Sequence, residues 1–204
     1  MITFRTLSLG FTLGVASLGV AMANVVPDDF VRGISNSVLS AAKTDAPVRE
    51  GDLDSIISLV DTKVMPFVDL QAVTRSAVGP RWRNATAAQR AQLQAAFKLL
   101  MIRVYSGALS HLDKQTIEVE PSRRRSTGPE VVVKSQVRGT ADPIEIDYRL
   151  EQSGATWQII DVSVAGIWLV TTYRAQFAEV LSNSGIQGLI ERLDALNGAA
   201  TKTR

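Results

Sequence analysis

The stretch Pro143-Ile144-Glu145-Ile146-Asp147-Tyr148-Arg149-Leu150-Glu151-Gln152 alternates apolar and polar side chains. Period-two alternation is the signature of a half-buried strand, because successive strand side chains point to opposite faces. Glu145, Asp147 and Glu151 share the face opposite Ile144, Ile146, Tyr148 and Leu150, and read as a solvated sheet face. Three further stretches have the same grammar. Gln115–Pro121 carries Ile117 and Val119, Glu130–Arg138 carries Val131, Val133 and Val137, and Thr156–Ala165 carries Trp157, Ile159, Ile160, Val162 and Val164. Gly128-Pro129, Gly139 to Pro143 and Ser153-Gly154 separate them. Links this short predict antiparallel hairpins.

Upstream, the period is helical. Phe30, Val31, Ile34 and Val38 follow Pro27-Asp28-Asp29, and Leu53, Ile56, Ile57, Val60 and Val64 follow a candidate cap, Asp52. Pro66 should stop or kink this second helix, since it has no N–H to give. A short helix is expected over Leu70–Val78, ending at Gly79-Pro80. Thr86-Ala87-Ala88-Gln89 is a capping box. It opens a long helix, about 26 residues or roughly 39 Å, with Leu93, Phe97, Leu100, Met101, Val104, Ala108 and Leu112 in one stripe. Downstream, Leu169, Val170, Tyr173, Phe177, Val180 and Leu181 form another stripe, closed by Gly185, and Ile186, Leu189, Ile190, Leu193 and Leu196 form a last one. Helices, about four antiparallel strands, then helices is an α+β order, with helices on one face of a curved sheet.

The N-terminus has a different character. Arg5 is the only charge before Asp28, Leu7–Val20 is apolar or small, and Ala21-Met22-Ala23 is an A-x-A cleavage signature. This is the layout of a secretory signal peptide, residues 1–23, cleaved after Ala23. No later stretch is apolar for long enough to span a membrane.

The chain has 204 residues, 22 Lys and Arg against 20 Asp and Glu, and 46% hydrophobic residues, an ordinary globular composition. The absence of Cys excludes a disulfide, a thiolate metal site and a cysteine nucleophile. His111 is the only histidine. It falls near the end of the long helix, where a cation is favourable. No HExxH, DxDxDG, P-loop or GxGxxG pattern occurs, so no metal ligand is assigned. Asp161 stands in a dense apolar context and has two readings: a hydrogen-bonded structural carboxyl, or a buried general base in an enzyme. Arg123-Arg124-Arg125 is the only dense basic run, either a solvated loop or a site for an anionic partner. The wide apolar stripes and Trp82, Trp157 and Trp168 fit a filled core or a cavity for an apolar ligand, and periodicity does not distinguish the two.

One resemblance goes further. Trp157-Gln158-Ile159-Ile160-Asp161-Val162, then Gly166-Ile167-Trp168-Leu169-Val170-Thr171-Thr172-Tyr173-Arg174-Ala175-Gln176-Phe177, then Gly185, Leu189-Ile190 and Leu193 resemble the C-terminal signature of the MlaC family. Met65-Pro66-Phe67-Val68-Asp69, Gly79, Trp82-Arg83-Asn84-Ala85-Thr86, Gln89-Arg90, Phe97 and Tyr105 are similar to the same family in the same order. The likeness runs from about Asp52 to Leu196. It departs at Trp168, where the family usually has a small residue, often Ser, so a bulky indole there would narrow the pocket or change which tails fit.

The resemblance implies a periplasmic phospholipid-binding protein of the maintenance-of-lipid-asymmetry system, also called a toluene-tolerance auxiliary protein. It implies an NTF2-like sheet with a helical subdomain in a single domain over 24–198. The helical part would cover about 24–112, the sheet 115–166 and the C-terminal helices 168–197, with 199–204 a polar tail. An apolar cavity would hold the acyl tails and leave the headgroup at the surface. The expected lining is Val60, Phe67, Trp82, Phe97, Met101, Val104, Tyr105, Ile146, Tyr148, Val164, Trp168, Val170, Tyr173 and Phe177. The partners implied are an outer-membrane lipoprotein–porin complex and an inner-membrane ABC transporter with its MCE-domain subunit. The docking candidates are Arg123, Arg124, Arg125 and Arg174. No catalytic residue, metal or cofactor is implied; the bound ligand is phospholipid. An NTF2-like enzyme with Asp161 as base, or a plain interaction scaffold, stands as the alternative.

Overall fold

Pro27 opens the first helix, α1 (Pro27–Thr44), where its missing N–H costs nothing. The structure is a computed structural model and describes residues 25–109, 114–121, 129–139 and 142–199. The signal peptide expected at residues 1–23, His111, Arg123–Arg125 and the tail beyond Ala199 lie outside the described residues. A short helix not expected from the sequence, α2 (Ala46–Arg49), is capped by Asp45, whose side chain accepts from the Val48 N–H. Asp52 caps α3 (Leu53–Lys63) by accepting from the Ser55 N–H at 2.9 Å. Pro66 ends that run as expected, inside one 3-10 turn, Met65–Phe67. Asp69 caps α4 (Leu70–Val78), and a second 3-10 segment, Gly79–Asn84, comes next.

The capping box forms as the sequence requires. The Thr86 N–H donates to Gln89 Oε1 at 3.0 Å and the Gln89 N–H to Thr86 Oγ1 at 3.2 Å, opening α5 (Ala87–Leu109). The strands are β1 (Thr116–Val119), β2 (Glu130–Arg138), β3 (Ile144–Ser153) and β4 (Thr156–Val164), with a two-residue β5 (Ile167–Trp168) that the period-two pattern misses. They form one antiparallel sheet in chain order. The final helix, α6 (Leu169–Ala199), is broken at Gly185. Its φ of 65° and ψ of −164° lie in a region that essentially only glycine occupies.

Two cores result. In the first, Val131, Val133, Leu150, Trp157 and Ile159 on one sheet face bury against Phe30, Val31, Ile34 and Val38 of α1 and Ile56 and Leu59 of α3. In the second, Ala77 and Val78 of α4, Trp82, Leu93, Phe97 and Leu100 of α5, and Tyr173, Phe177, Leu181, Leu189, Ile190 and Leu193 of α6 pack together. Helix α5 serves both, because Ile102 belongs to the sheet core while Phe97 and Leu100 belong to the helical one.

Candidate functional site

Cross-strand register decides which predicted residues can meet. Val137 pairs with Ile144, Ile146 with Val164, and Val164 with Ile167. Directly opposed side chains share a face, so Ile146, Val164 and Ile167 form an apolar row across β3, β4 and β5, with Ile144 beside it. The row lies on the face that carries Tyr148 and Leu150. It is poorly covered: Ile146 and Val164 are half-buried, while Ile144 is 44% and Ile167 59% exposed. Ile144 and Ile167 were not among the expected lining residues. The alternation in β3 already put Ile144 on this face, whereas nothing in the sequence marked Ile167 as a strand residue.

A register shift reverses the expectation for Trp168. Leu150 pairs with Ile159, but Arg149 pairs with Asp161, so Ile160 has no partner. An extra residue of this kind exchanges the faces of everything beyond it. Asp161 and Ser163 therefore share the Arg149 face, as does Trp168, paired with Ser163. The Arg149 guanidinium lies 4.5 Å from the Trp168 ring centroid. The indole is thus on the sheet face opposite the apolar row, so it does not narrow a pocket there.

Asp161 is buried and accepts two backbone N–H groups on Oδ1, from Val162 at 2.9 Å and from Val170 at 3.1 Å. The second bond caps the first turn of α6. Burial pushes the carboxyl pKa up, opposed by those two hydrogen bonds and by the Arg149 charge. Val170 and Asp161 line a polar pocket of about 190 Å³ with Arg75, Arg149, Glu130 and Glu151. Val170 therefore belongs to this charged pocket. A second hollow, about 470 Å³, lies between α1 and β1 and is lined by Asn36, Leu39, Ser40, Lys43, Thr116 and Ile117.

The remaining expected lining residues fall into two groups. Phe97, Tyr173 and Phe177 form one aromatic cluster, with ring centroids 5.1 to 5.6 Å apart, inside the helical core. Met101 packs against it half-buried, and Trp82 is buried beside it under Arg90. Tyr105 stands close enough to Tyr173 to raise its pKa, although burial is the larger cause. Tyr148 and Val60 pack on the sheet core. The Tyr148 hydroxyl hydrogen-bonds with Ser35 and Ser135, and burial pushes its pKa up. Phe67 meets Phe30 edge-on at 5.7 Å and stays 37% exposed. Val104 departs from its expected stripe: it is 54% exposed. Ile102, two residues past Leu100 and so on the opposite side of α5, packs into the sheet core, while the stripe of Phe97 and Leu100 has left the helical core by Val104.

The residues that fringe both cores are apolar and only partly covered: Val60, Val64, Val162 and Tyr148 beside the sheet core, Met101 and Leu169 beside the helical one. A family model, described as MlaC protein, matches residues 32–195. The chain belongs to the MlaC family. Its MlaC relatives include the toluene tolerance protein ttg2D of Pseudomonas putida, 25% identical over 91% of this chain and 86% of the relative. Another is the intermembrane phospholipid transport system binding protein MlaC of Haemophilus influenzae, 20% identical over 85% of this chain and 83% of the relative. A solved structure superposes with a TM-score of 0.82 at 38% identity, covering 86% of this chain and 98% of the other. It is a phospholipid-binding protein from Ralstonia solanacearum in complex with a phospholipid.

Proposed function

We propose that this MlaC-family chain is a periplasmic phospholipid carrier, which takes acyl tails between its two cores and moves lipid between outer-membrane and inner-membrane complexes. The observation that carries the proposal is the 38% identical neighbour of TM-score 0.82, solved with a phospholipid bound. The partly covered row Ile144, Ile146, Val164 and Ile167, with Tyr148, Met101 and Phe67, supplies apolar surface that a lipid tail would cover. The export signal read at residues 1–23 supports the location.

The energetics suit a carrier. Burying one CH₂ is worth about 0.8 kcal/mol, so two sixteen-carbon tails represent roughly 25 kcal/mol that free water would not return. A pocket as apolar as the bilayer interior offsets most of that, leaving transfer near balance. No bond is made or broken in this task, and we read the protein as non-enzymatic. Asp161, the candidate base, has its Oδ1 committed to two backbone N–H groups, which supports a capping role.

Docking on the two membrane complexes would use Arg174, which is exposed, and Arg123–Arg125. The test is direct. Organic extraction of the folded protein followed by mass spectrometry should return phospholipid, and labelled liposomes should donate lipid to the delipidated protein. An empty extract with no uptake would defeat the carrier reading.

A further inference from the structure

One stretch of the helical half carries charge of a single sign. From Leu70 to Leu112 the sequence contains no Asp or Glu, and its cations are Arg75, Arg81, Arg83, Arg90, Lys98 and Arg103. Lys98 is neutralised by Asp61 at 2.7 Å, and Arg75 borders the pocket that holds Glu130 and Glu151. The arginines around the 3-10 segment Gly79–Asn84 are different. Arg81 and Arg83 project from it and are exposed. Arg90 reaches back from α5, with its guanidinium 5.4 Å from the Trp82 ring centroid and Nη2 donating to the Arg83 carbonyl at 3.3 Å. Arg174 of α6 lies over the same segment, since a methyl group added to Gly79 would stand 3.5 Å from its Nε. Among the described residues, none of these four forms a salt bridge with a carboxylate.

We infer that Arg81 and Arg83, with the Arg90 charge beside them, form a docking surface for the anionic headgroups of a phospholipid bilayer, adjoining the Arg174 assigned above to the protein complexes. The inference rests on the carrier reading for its biological sense, but not for its chemistry. The exposed guanidinium groups of Arg81, Arg83 and Arg174 around one segment, with the half-buried Arg90 adding its charge, match phosphate oxygens through paired N–H donors. A bilayer presents such phosphates at high density, and each basic residue near an anionic surface contributes roughly a factor of five in binding. An acidic protein would satisfy the same charges, but protein interfaces concentrate their affinity in an apolar or aromatic anchor. This patch offers no such anchor, because Trp82 is 5% exposed and no large exposed apolar residue falls between Gly79 and Arg90. Charge without an anchor describes reversible attachment to a headgroup layer, a contact that a carrier can leave.

The test uses co-sedimentation of the purified protein with vesicles of phosphatidylcholine alone and of an equimolar mixture with phosphatidylglycerol. The protein should bind the anionic vesicles and not the neutral ones, and lose that binding at high salt. Arg81→Gln/Arg83→Gln should weaken it by about 30-fold. Arg81→Lys/Arg83→Lys, which keeps the charge, should retain most of it and controls for misfolding. Equal binding to both vesicle types, or a Gln pair that binds like the parent, would overturn the inference. So would a protein that ignores anionic vesicles yet is retained on immobilised polyglutamate through these arginines, since the occupant would then be an acidic protein. Lipid extracted from the same preparations reports on the carrier reading separately: an empty pocket with intact vesicle binding would sink that reading and leave this one standing.

Discussion

Trp168 covers the Arg149 guanidinium at 4.5 Å on the face of the sheet that also carries Asp161, with the apolar row of Ile146 and Val164 on the other side. Trp168→Ser should therefore leave the acyl-chain profile of bound lipid unchanged. It should lower stability by about 1 kcal/mol, through the lost cation–π contact. Mass spectrometry of extracted lipid and urea unfolding read the two effects. A profile shifted toward bulkier lipids would place the indole against the tails after all.

Asp161 gives a graded series. Asn keeps an oxygen that accepts from the Val162 and Val170 N–H groups, so Asp161→Asn should unfold within about 1 kcal/mol of the parent. Asp161→Ala removes the cap and should cost about 1–2 kcal/mol. The parent should also gain on the Asn variant as pH falls from neutral toward 4. The folded Asp161 carboxyl has a raised pKa, so over that window the native state holds more protons than the unfolded state. Stability from this group is therefore present at low pH and lost as pH rises through the folded pKa. Urea midpoints of both proteins across pH measure it, and a constant difference would contradict the burial of the charge. Both variants should keep their lipid.

The two kinds of apolar residue should respond differently to mutation. Ile146→Glu puts a charge into the partly covered row and should expel lipid, because an unpaired charge against apolar tails is strongly disfavoured. With Ile146 only half-buried, the lipid-free fold should lose about 1–2 kcal/mol. Phe97→Ala empties the centre of the aromatic cluster and should cost about 3–5 kcal/mol. Lipid content and chemical unfolding, measured on both, separate ligand-facing surface from solid core. Equal collapse of the two variants would remove the row from the lipid site.

Gly185 isolates a backbone effect. A methyl group there meets nothing within 4 Å, so no clash contributes. Its φ of 65° and ψ of −164° alone should make Gly185→Ala cost about 1–3 kcal/mol. An unchanged unfolding midpoint would mean that the break in α6 adjusts to the new residue.

Much of this architecture was legible in the chain because local chemistry enforces it. Thr86 and Gln89 satisfy each other's N–H groups whatever lies around them, and Asp52 caps its helix in the same way. Alternation in β3 told Ile146 from Asp147 because each meets its solvation needs on its own side of the sheet. What failed to show was long-range. Ile160, unpaired between Ile159 and Asp161, moves Asp161 to the other face, and only the doubled isoleucine hinted at it. Periodicity assigned Phe97, Met101 and Val104 to one stripe, but it names a face and not the neighbour that face will meet. Hence Phe97 is buried, Met101 is half-covered and Val104 is exposed. The expected lining residues were legible as apolar positions, while their division between two cores was not.

Helix α5 belongs to both cores, and this ties their fates together. Phe97 and Leu100 pack one side of it with α6, and Ile102, on the opposite side, packs into the core that α1, α3 and the sheet share. Neither core can loosen completely without taking part of the same hydrogen-bonded rod with it. The two should therefore melt in a single transition, as one cooperative unit rather than as two modules in sequence. The slowest-exchanging amides should lie along this helix, where a local opening is indistinguishable from loss of the whole structure.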